Sequence, residues 1–200
     1  MSKTRPGRVF FNSGEAMFIL RHGETVWNVE GRMQGGLVSP LTERGRAQAL
    51  RQGEILRRAG AEGLPVYSSP QGRALETARL AMPGAALIED QRLAEIDMGA
   101  WQGLTYGEIR RVSPEIPAAP DSFLWKFAAP GGERLEEMLV RLRDFLSEVP
   151  AEAVVVTHGV ASQLLRGCTL KLDLAAMAAL DDPQGVVHRV TEHGEILLSS

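Results

Sequence analysis

The 200-residue sequence contains a single cysteine, Cys168, so no disulfide can form within the chain. A lone cysteine favours a reducing compartment, and we expect a cytoplasmic protein in which Cys168 lies on a buried helix face. No apolar run approaches the roughly 20 residues that cross a bilayer, and residues 1–24 have no continuous apolar core of signal-peptide length. The sequence therefore predicts no association with a membrane.

Excess charge of either sign is also missing. The net charge is -3, with 22 basic and 25 acidic residues, so we expect no broad basic face and no nucleic-acid partner. The four histidines are scattered without close carboxylate–histidine spacing, which predicts neither a metal site nor another cofactor. Any anion site must then be a local cluster of arginines.

Short apolar runs alternate with amphipathic segments along the chain, a pattern typical of an α/β fold. Residues 16–20, 65–69, 86–89 and 153–157 are predicted to be strands, and residues 42–58, 72–81, 132–149 and 159–170 helices. Residues 186–198 predict a terminal hairpin. We expect one domain over residues 1–200, a three-layer sandwich whose mostly parallel central sheet carries helices on both faces. Ligands bind such sheets beyond the carboxyl ends of the strands.

Residues 91–131 are irregular, with a short helix expected around Glu108, and residues 104–131 are interpreted as a lid-like insert. Trp101 before the insert is expected to pack the turn beside Glu95 rather than stack on a ligand. Arg110 and Arg111 are expected on a solvated helix face. Two aromatic residues of the insert either pack the lid or form a subunit contact, which leaves a homodimer open; they are Trp125 and Phe127.

Polar side chains with complementary chemistry follow the predicted strands. They are Arg21, His22, Arg73, Glu95 and His158. Arginine forks match phosphate oxygens, and a neutral imidazole can attack phosphorus to form a covalent intermediate. A carboxylate can protonate the leaving oxygen, and the helix after His158 is expected to point backbone N–H groups toward the anion. His188 and His193, in the hairpin, are not expected to be catalytic.

Four separated motifs resemble the histidine phosphatase superfamily, also called phosphoglycerate mutase-like. The resemblance covers residues 18 to about 165, and its motifs are RHGETVWN (21–28), SSPQGRALETA (68–78), LAEIDMGAWQGLT (93–105) and VVVTHG (154–159). The first is similar to the branch that includes cofactor-dependent phosphoglycerate mutases and small broad-specificity phosphatases. The chain is therefore expected to be an enzyme with that family's fold.

The resemblance also implies a role for each matching residue. His22 would be the phosphorylated residue and Glu95 the proton donor, while Arg21, Arg73 and His158 would form the phosphate pocket. Two further positions match residues that contact phosphate or frame the pocket, and they are Asn28 and Gln34.

Two positions depart from the family pattern. Val38 stands where the family often has an acidic residue, and Arg134 stands where it commonly has serine. Both changes are expected at the pocket rim or the lid, where they bear on the choice of substrate.

The expected activity is hydrolysis of a small phosphorylated metabolite through a phosphohistidine. A mutase must hold a bisphosphorylated intermediate and exclude water, whereas this insert is modest in length. Phosphoryl transfer of the cofactor-dependent phosphoglycerate mutase type remains the alternative, as does a non-catalytic phosphate-ligand-binding protein on the same scaffold.

Overall fold

The computed structural model describes residues 15–119 and 122–199, and its elements follow the apolar runs of the sequence. The strands are β1 (Met17–Arg21), β2 (Val66–Ser68), β3 (Leu87–Glu89), β4 (Ala153–Thr157), β5 (Val187–Thr191) and β6 (Gly194–Leu198). The α-helices are α1 (Val26–Val29), α2 (Glu43–Arg58), α3 (Gly72–Ala81), α4 (Tyr106–Val112), α5 (Leu135–Glu148), α6 (Gly159–Leu170) and α7 (Leu174–Ala178). None of the helices in these ranges is long and apolar enough to cross a bilayer.

The strands form one sheet in the order β3-β2-β4-β1-β5-β6. β3, β2, β4 and β1 are parallel, and the terminal hairpin β5–β6 continues the sheet in antiparallel fashion from β1. The predicted mostly parallel sheet is confirmed. Because β1 and β4 are adjacent and parallel, with Arg21 paired to Thr157, their carboxyl ends bring His22 and His158 together.

Alternation along the two central strands builds a core on each face of the sheet. Met17 and Ile19 face the core formed with α5 and α6, whereas Phe18 and Leu20 face the core formed with α2 and α3. β4 alternates in the same way, and all of its residues are buried. Helices therefore cover both faces, as the continuous apolar runs predicted.

The predicted element boundaries hold closely, with one clear correction. Thr42 caps α2 as expected, its side chain accepting a hydrogen bond from the Gly45 N–H, and the terminal hairpin is also confirmed. α5 begins at Leu135 rather than at residue 132, because Arg134 takes an extended conformation and both its backbone N–H and its guanidinium donate to the Glu137 carboxylate. The two shortest helices, α1 and α7, were not predicted from the sequence.

The insert is anchored to the core. α4 and a 3-10 helix, Leu124–Ala128, lie within it, and Ile109, Ile116 and Phe123 are among its buried side chains. Trp101 is 1% exposed with its ring centroid 5.8 Å from that of Trp125, so the packing interpretation of Trp101 is confirmed.

Candidate active site

His22 lies one residue beyond β1, and its backbone is fixed on both sides. Its N–H donates to the Thr157 carbonyl of β4 over 3.0 Å, and its own carbonyl accepts from the Gln184 side chain over 3.1 Å. The next N–H, that of Gly23, donates to the Thr77 hydroxyl of α3 over 3.0 Å. The side chain is 3% exposed. Sheet and helix together thus fix where the imidazole lies.

The hydrogen bonds of His22 define its tautomer. Nδ1 lies 2.7 Å from the Gly23 carbonyl, which can only accept, so Nδ1 carries the hydrogen and Nε2 carries the lone pair. Nε2 accepts from Nε of Arg73 over 3.3 Å. Burial, and then the charges of Arg73 and Arg21, lower the pKa of His22 well below its ordinary value. The imidazole is therefore neutral at pH 7.

Arg73 is held by the loop that faces it. Its terminal nitrogens donate to the carbonyls of Gly35 and Leu37 and to the Gln71 side chain, at 2.9 to 3.1 Å. The residue is 4% exposed, and burial lowers its pKa to about 10, which still leaves the guanidinium charged at pH 7. Arg73 thus presents a fixed positive charge beside Nε2 of His22.

His158 is fully buried against His22. The ring centroids are 5.1 Å apart and the rings are tilted by 59°. Nε2 of His158 lies 2.8 Å from the Ser69 hydroxyl, which also accepts the Gln71 N–H. That hydroxyl can donate to Nε2, an arrangement in which the ring hydrogen is on Nδ1, a buried atom with no hydrogen-bond partner among the described residues. Burial and the neighbouring Arg73 lower the pKa of His158 well below its ordinary value.

Glu95 lies at the amino end of α6, where its carboxylate accepts from the N–H groups of Val160 and Ala161 over 3.3 and 3.2 Å. The expectation that these amides face the phosphate is therefore wrong for this structure, because a carboxylate already occupies the helix terminus. A Cβ on Gly159 would lie 3.6 Å from Oε2 of Glu95 and 3.5 Å from Cζ of Arg21. The side chains of Glu95 and Arg21 thus both lie close to Gly159, which has no side chain of its own.

Arg21 is tied to an aspartate that the sequence analysis missed. Its Nη1 donates to the Asp182 carbonyl over 2.8 Å. Its buried Nε has no hydrogen-bond partner within the described residues and lies 3.8 Å from the Asp182 carboxylate. Ser162 donates to that carboxylate, and the fully buried Arg166 lies 3.5 Å from it. Burial raises the pKa of Asp182 to about 6 despite the two arginines. No periodic or motif signal marks Asp182 in the sequence.

Asn28, which lies in α1, and Gln34 line the same cavity as His22. The Asn28 oxygen accepts from the Thr25 N–H and from the Gln184 side chain. Gln34 is 8% exposed and donates to the Thr25 hydroxyl over 2.7 Å, while its own side-chain oxygen is buried and has no hydrogen-bond partner in the described part of the chain.

One cavity of about 230 Å³ joins most of the predicted residues. Its wall includes Arg21, His22, Asn28, Gln34, Arg73 and Glu95. His158 lies behind His22 rather than on the wall. The wall also contains Lys126 of the insert, which the sequence analysis did not single out. Larger cavities of about 810 and 430 Å³ lie elsewhere, and His22 lines neither.

The remaining candidates lie away from this cavity. Val38 is 84% exposed and lines the neighbouring 430 Å³ cavity, which Arg73 also borders, and Arg134 pairs with Glu137 at the start of α5. His188 is buried against Arg166, whereas the His193 side chain is 84% exposed. In the described part of the chain, no three His, Cys, Asp or Glu side chains are grouped to hold a metal ion.

Comparison with known proteins shows which family the chain resembles. The family model described as histidine phosphatase superfamily (branch 1) matches residues 17–196. A glucosyl-3-phosphoglycerate phosphatase of Mycobacterium tuberculosis is 34% identical over 180 residues, which cover 82% of this chain and 79% of that protein. Phosphoglycerate mutase-like protein 4 of Arabidopsis thaliana is 37% identical over 150 residues, which cover 70% of this chain and 65% of that protein.

A solved structure extends the match to three dimensions. The mycobacterial glucosyl-3-phosphoglycerate phosphatase in complex with VO3 has a TM-score of 0.75 and 31% identity to this chain, and the match covers 89% of this chain and 91% of that chain.

Proposed function

We propose that this chain, which belongs to the histidine phosphatase superfamily (branch 1), hydrolyses phosphate monoesters of small metabolites through a phosphohistidine at His22. The chain is a phosphatase of that family. The covalent route, the size of the substrate and the role of each residue are the parts that we propose.

The observation that carries this proposal is the state of His22. A neutral imidazole whose hydrogen is on Nδ1 presents the Nε2 lone pair, the electron pair that attacks phosphorus. Attack forms the Nε2–P bond and breaks the P–O bond to the leaving group, so one difficult displacement becomes two easier ones. The Nδ1–H bond to the Gly23 carbonyl stabilises the positive charge that the ring then acquires.

Positive groups around Nε2 support phosphoryl transfer. Arg73 lies beside it and Arg21 lines the same cavity, so their forks can pair with the equatorial phosphate oxygens, where charge is spread in the transition state. Nδ1 of His158, which has no hydrogen-bond partner between residues 15 and 199 as described, would add a buried donor next to His22, and the amide of Gln34 adds another polar group. All these groups are fixed before substrate arrives, which favours electrostatic stabilisation.

Glu95 is the proposed proton donor. Its carboxyl group lines the cavity and is oriented by backbone N–H groups, within the same wall as Arg21 and His22. It would protonate the leaving oxygen in the first step and take a proton from the attacking water in the second. That water then breaks the Nε2–P bond and releases phosphate.

Trapping the intermediate tests this function. Wild type is mixed with p-nitrophenyl phosphate, quenched with alkali in the first turnover and examined by intact-mass and peptide mass spectrometry. We expect an acid-labile phosphoryl group on His22 and complete loss of both the adduct and turnover in His22→Ala. The control is His193→Ala, whose side chain is 84% exposed and which should behave as wild type. A phosphoryl group on another residue, or turnover by His22→Ala, would contradict the proposal.

Similarity to the phosphoglycerate mutase-like protein keeps phosphoryl transfer between metabolites as the second candidate. The two activities separate in one assay, in which 3-phosphoglycerate is supplied with catalytic bisphosphoglycerate. Release of inorganic phosphate supports the hydrolase, whereas formation of 2-phosphoglycerate without phosphate release supports the mutase.

Four features stay predictions. We propose that the insert over residues 104–131 acts as a lid and that residues 1–200 form one domain. We also propose a homodimer, which the mass in solution tests, and a cytoplasmic location, which the distribution in cells tests.

A further inference from the structure

The peptide that joins Gly35 to Gly36 connects the proposed active site to the segment that precedes the insert. Its carbonyl accepts from Nη2 of Arg73 over 2.9 Å, and its N–H donates to Oε1 of Gln102 over 2.6 Å. The carbonyl and the N–H of a trans peptide point in opposite directions. This one peptide therefore lies between the amide of Gln102 on one side and the guanidinium of Arg73 on the other.

The same peptide is the centre of a tight turn over residues 34–37. The Leu37 N–H closes the turn by donating to the Gln34 carbonyl over 2.9 Å. Of the two central residues only Gly35 has positive φ, at 50°, which is the sign pattern of a type II′ turn. Rotation of the central peptide gives a type I′ turn, with positive φ at both positions, and two glycines permit either form. The turn alone therefore does not fix the direction of the Gly35 carbonyl.

The position of Arg73 depends on that direction. In the structure the carbonyls of Gly35 and Leu37 accept from its two terminal nitrogens, while its Nε lies beside Nε2 of His22. With the central peptide rotated, the Gly36 N–H would face the guanidinium, so a donor would meet a donor and this hydrogen bond would be lost. The guanidinium would then be free to turn away from the place where phosphate is expected.

Gln102 is held where it can prevent this rotation. Its neighbours are joined to the residue before the turn, because the Gly103 N–H donates to the Met33 carbonyl over 2.8 Å and the Met33 N–H donates to the Leu104 carbonyl over 2.9 Å. A Cβ on Gly35 would lie 2.2 Å from Oε1 of Gln102. The side-chain oxygen therefore lies directly against the turn, at a position that the backbone fixes.

We propose that Gln102 is a positioning residue for phosphoryl transfer, which holds the Gly36 N–H so that the Gly35 carbonyl keeps Arg73 oriented toward the phosphate. This inference rests on the proposed phosphatase function and deepens it. Gln102 lies outside the wall of the 230 Å³ cavity, so it acts on the substrate only through the turn. Its hydrogen bond also polarises the peptide, which strengthens the bond from the carbonyl to Arg73.

Gln102 has one competing role, as a side chain that only stabilises the fold around the turn. The two roles differ in how they depend on Arg73. A stabilising role would lower turnover by the same factor whether residue 73 is arginine or lysine. A positioning role acts through the planar guanidinium fork, so its effect should largely disappear in Arg73→Lys.

The test is a double-mutant cycle on p-nitrophenyl phosphate hydrolysis. Gln102→Met keeps the length of the side chain and removes the acceptor, and it is made in wild type and in Arg73→Lys. Gln102→Glu retains an acceptor oxygen. The matched control is Thr191→Val, which removes a side-chain acceptor from the His193 N–H in the terminal hairpin. Urea unfolding of every variant shows that folded proteins are being compared.

We expect Gln102→Met to lower kcat about tenfold with little change in KM, which is the size of one hydrogen bond made to best effect in the transition state. In Arg73→Lys the same change should lower kcat by less than about twofold. Gln102→Glu should recover most of the loss, and Thr191→Val should match wild type. Equal factors in the two backgrounds, wild-type kcat in Gln102→Met, or no recovery in Gln102→Glu would overturn the inference.

Trapping of the phosphohistidine separates this inference from the proposed function. If wild type forms the adduct on His22 and the two factors are equal, only the positioning role of Gln102 is wrong. If no adduct forms, the proposed function is wrong, and the inference that rests on it is wrong as well.

Discussion

Nε of Arg73 lies 3.3 Å from Nε2 of His22, so the guanidinium and the nucleophilic lone pair meet directly in a buried site. The same guanidinium fork also holds two loop carbonyls and the Gln71 side chain, so Arg73 both fixes the pocket wall and lowers the pKa of His22. The position of the pocket wall and the charge state of His22 therefore both depend on Arg73.

Changing Arg73→Lys keeps the charge and removes the planar fork. A lysine can replace only part of the hydrogen bonding to phosphate and to the loop, so we expect kcat/KM for p-nitrophenyl phosphate to fall about 100-fold or more. The control is Arg46→Lys, since the Arg46 side chain is 49% exposed and pairs with Glu76 on the surface. If kcat/KM of a folded Arg73→Lys variant fell by less than threefold, Arg73 would not be a phosphate-binding residue.

Glu95→Gln separates proton donation from binding. A sugar or alkyl alkoxide needs a proton as it leaves, and general acid catalysis is typically worth about a hundred- to ten-thousand-fold, whereas nitrophenolate scarcely needs it. We expect the single-turnover rate of phosphohistidine formation to fall far more for alkyl phosphates than for p-nitrophenyl phosphate. Both rates come from one variant, so altered contacts to α6 affect them alike. Equal decreases in the two single-turnover rates would mean that another carboxyl group is the proton donor.

Chelation should leave turnover unchanged. Two arginines and a buried histidine donor supply the positive character that a metal would otherwise provide. The measurement is p-nitrophenyl phosphate hydrolysis after dialysis against EDTA, with a metal-dependent phosphatase treated in parallel. Activity that disappears and returns with a divalent ion would refute a metal-independent route.

Folding stability should decrease on mild acidification because the protein buries neutral histidines. The pKa values of His22 and His158 lie well below 6.5, and burial lowers that of His188 to about 3. Below pH 6.5 the unfolded chain therefore binds more protons than the folded one, so the free energy of unfolding decreases as the pH drops. Asp182, whose pKa is raised to about 6, takes up a proton in the folded state first and offsets part of this loss.

Urea unfolding of His188→Gln between pH 6.5 and 5 measures one histidine's share. We expect the free energy of unfolding of His188→Gln to change less with pH than that of wild type. The difference between the two slopes should approach about 1.4 kcal/mol per pH unit, the value for one proton. The exposed His193 provides the control, and His193→Gln should follow the wild-type slope. Parallel curves for wild type and His188→Gln would mean that His188 titrates normally in the folded protein.

The loop that carries His22 depends on close backbone packing against α2. A Cβ on Gly45 would lie 2.0 Å from the Glu24 carbonyl oxygen, and one on Gly23 would lie 2.2 Å from the Gly45 oxygen. Gly45→Ala should therefore reduce stability by about 1–3 kcal/mol and also reduce turnover, because the loop must move. In α4, by contrast, Gly107 has open space around a Cβ, and Gly107→Ala should stabilise the protein by about 0.5–1 kcal/mol. Thermal unfolding and p-nitrophenyl phosphate assays on both variants check this contrast.

The sequence by itself determined the sheet, most of the helices and the residues of the proposed reaction. Strands buried on both faces appear as continuous apolar runs, and helix caps such as Thr42 act within three or four residues, so both signals are local. His22 and His158 could be placed together from the sequence alone, because the carboxyl ends of parallel strands share one edge of a sheet.

Only the tertiary structure decided the contacts that have no local signal. Arg21 and Asp182 are 161 positions apart, and the carboxylate of Glu95 reaches the amino end of α6 from 65 positions away. Lys126 reaches the cavity because its aromatic neighbours pack the insert onto the core. Such pairings depend on the path of the whole chain and on burial, which sets the charge state of His22, and neither is encoded in the periodicity of a short segment.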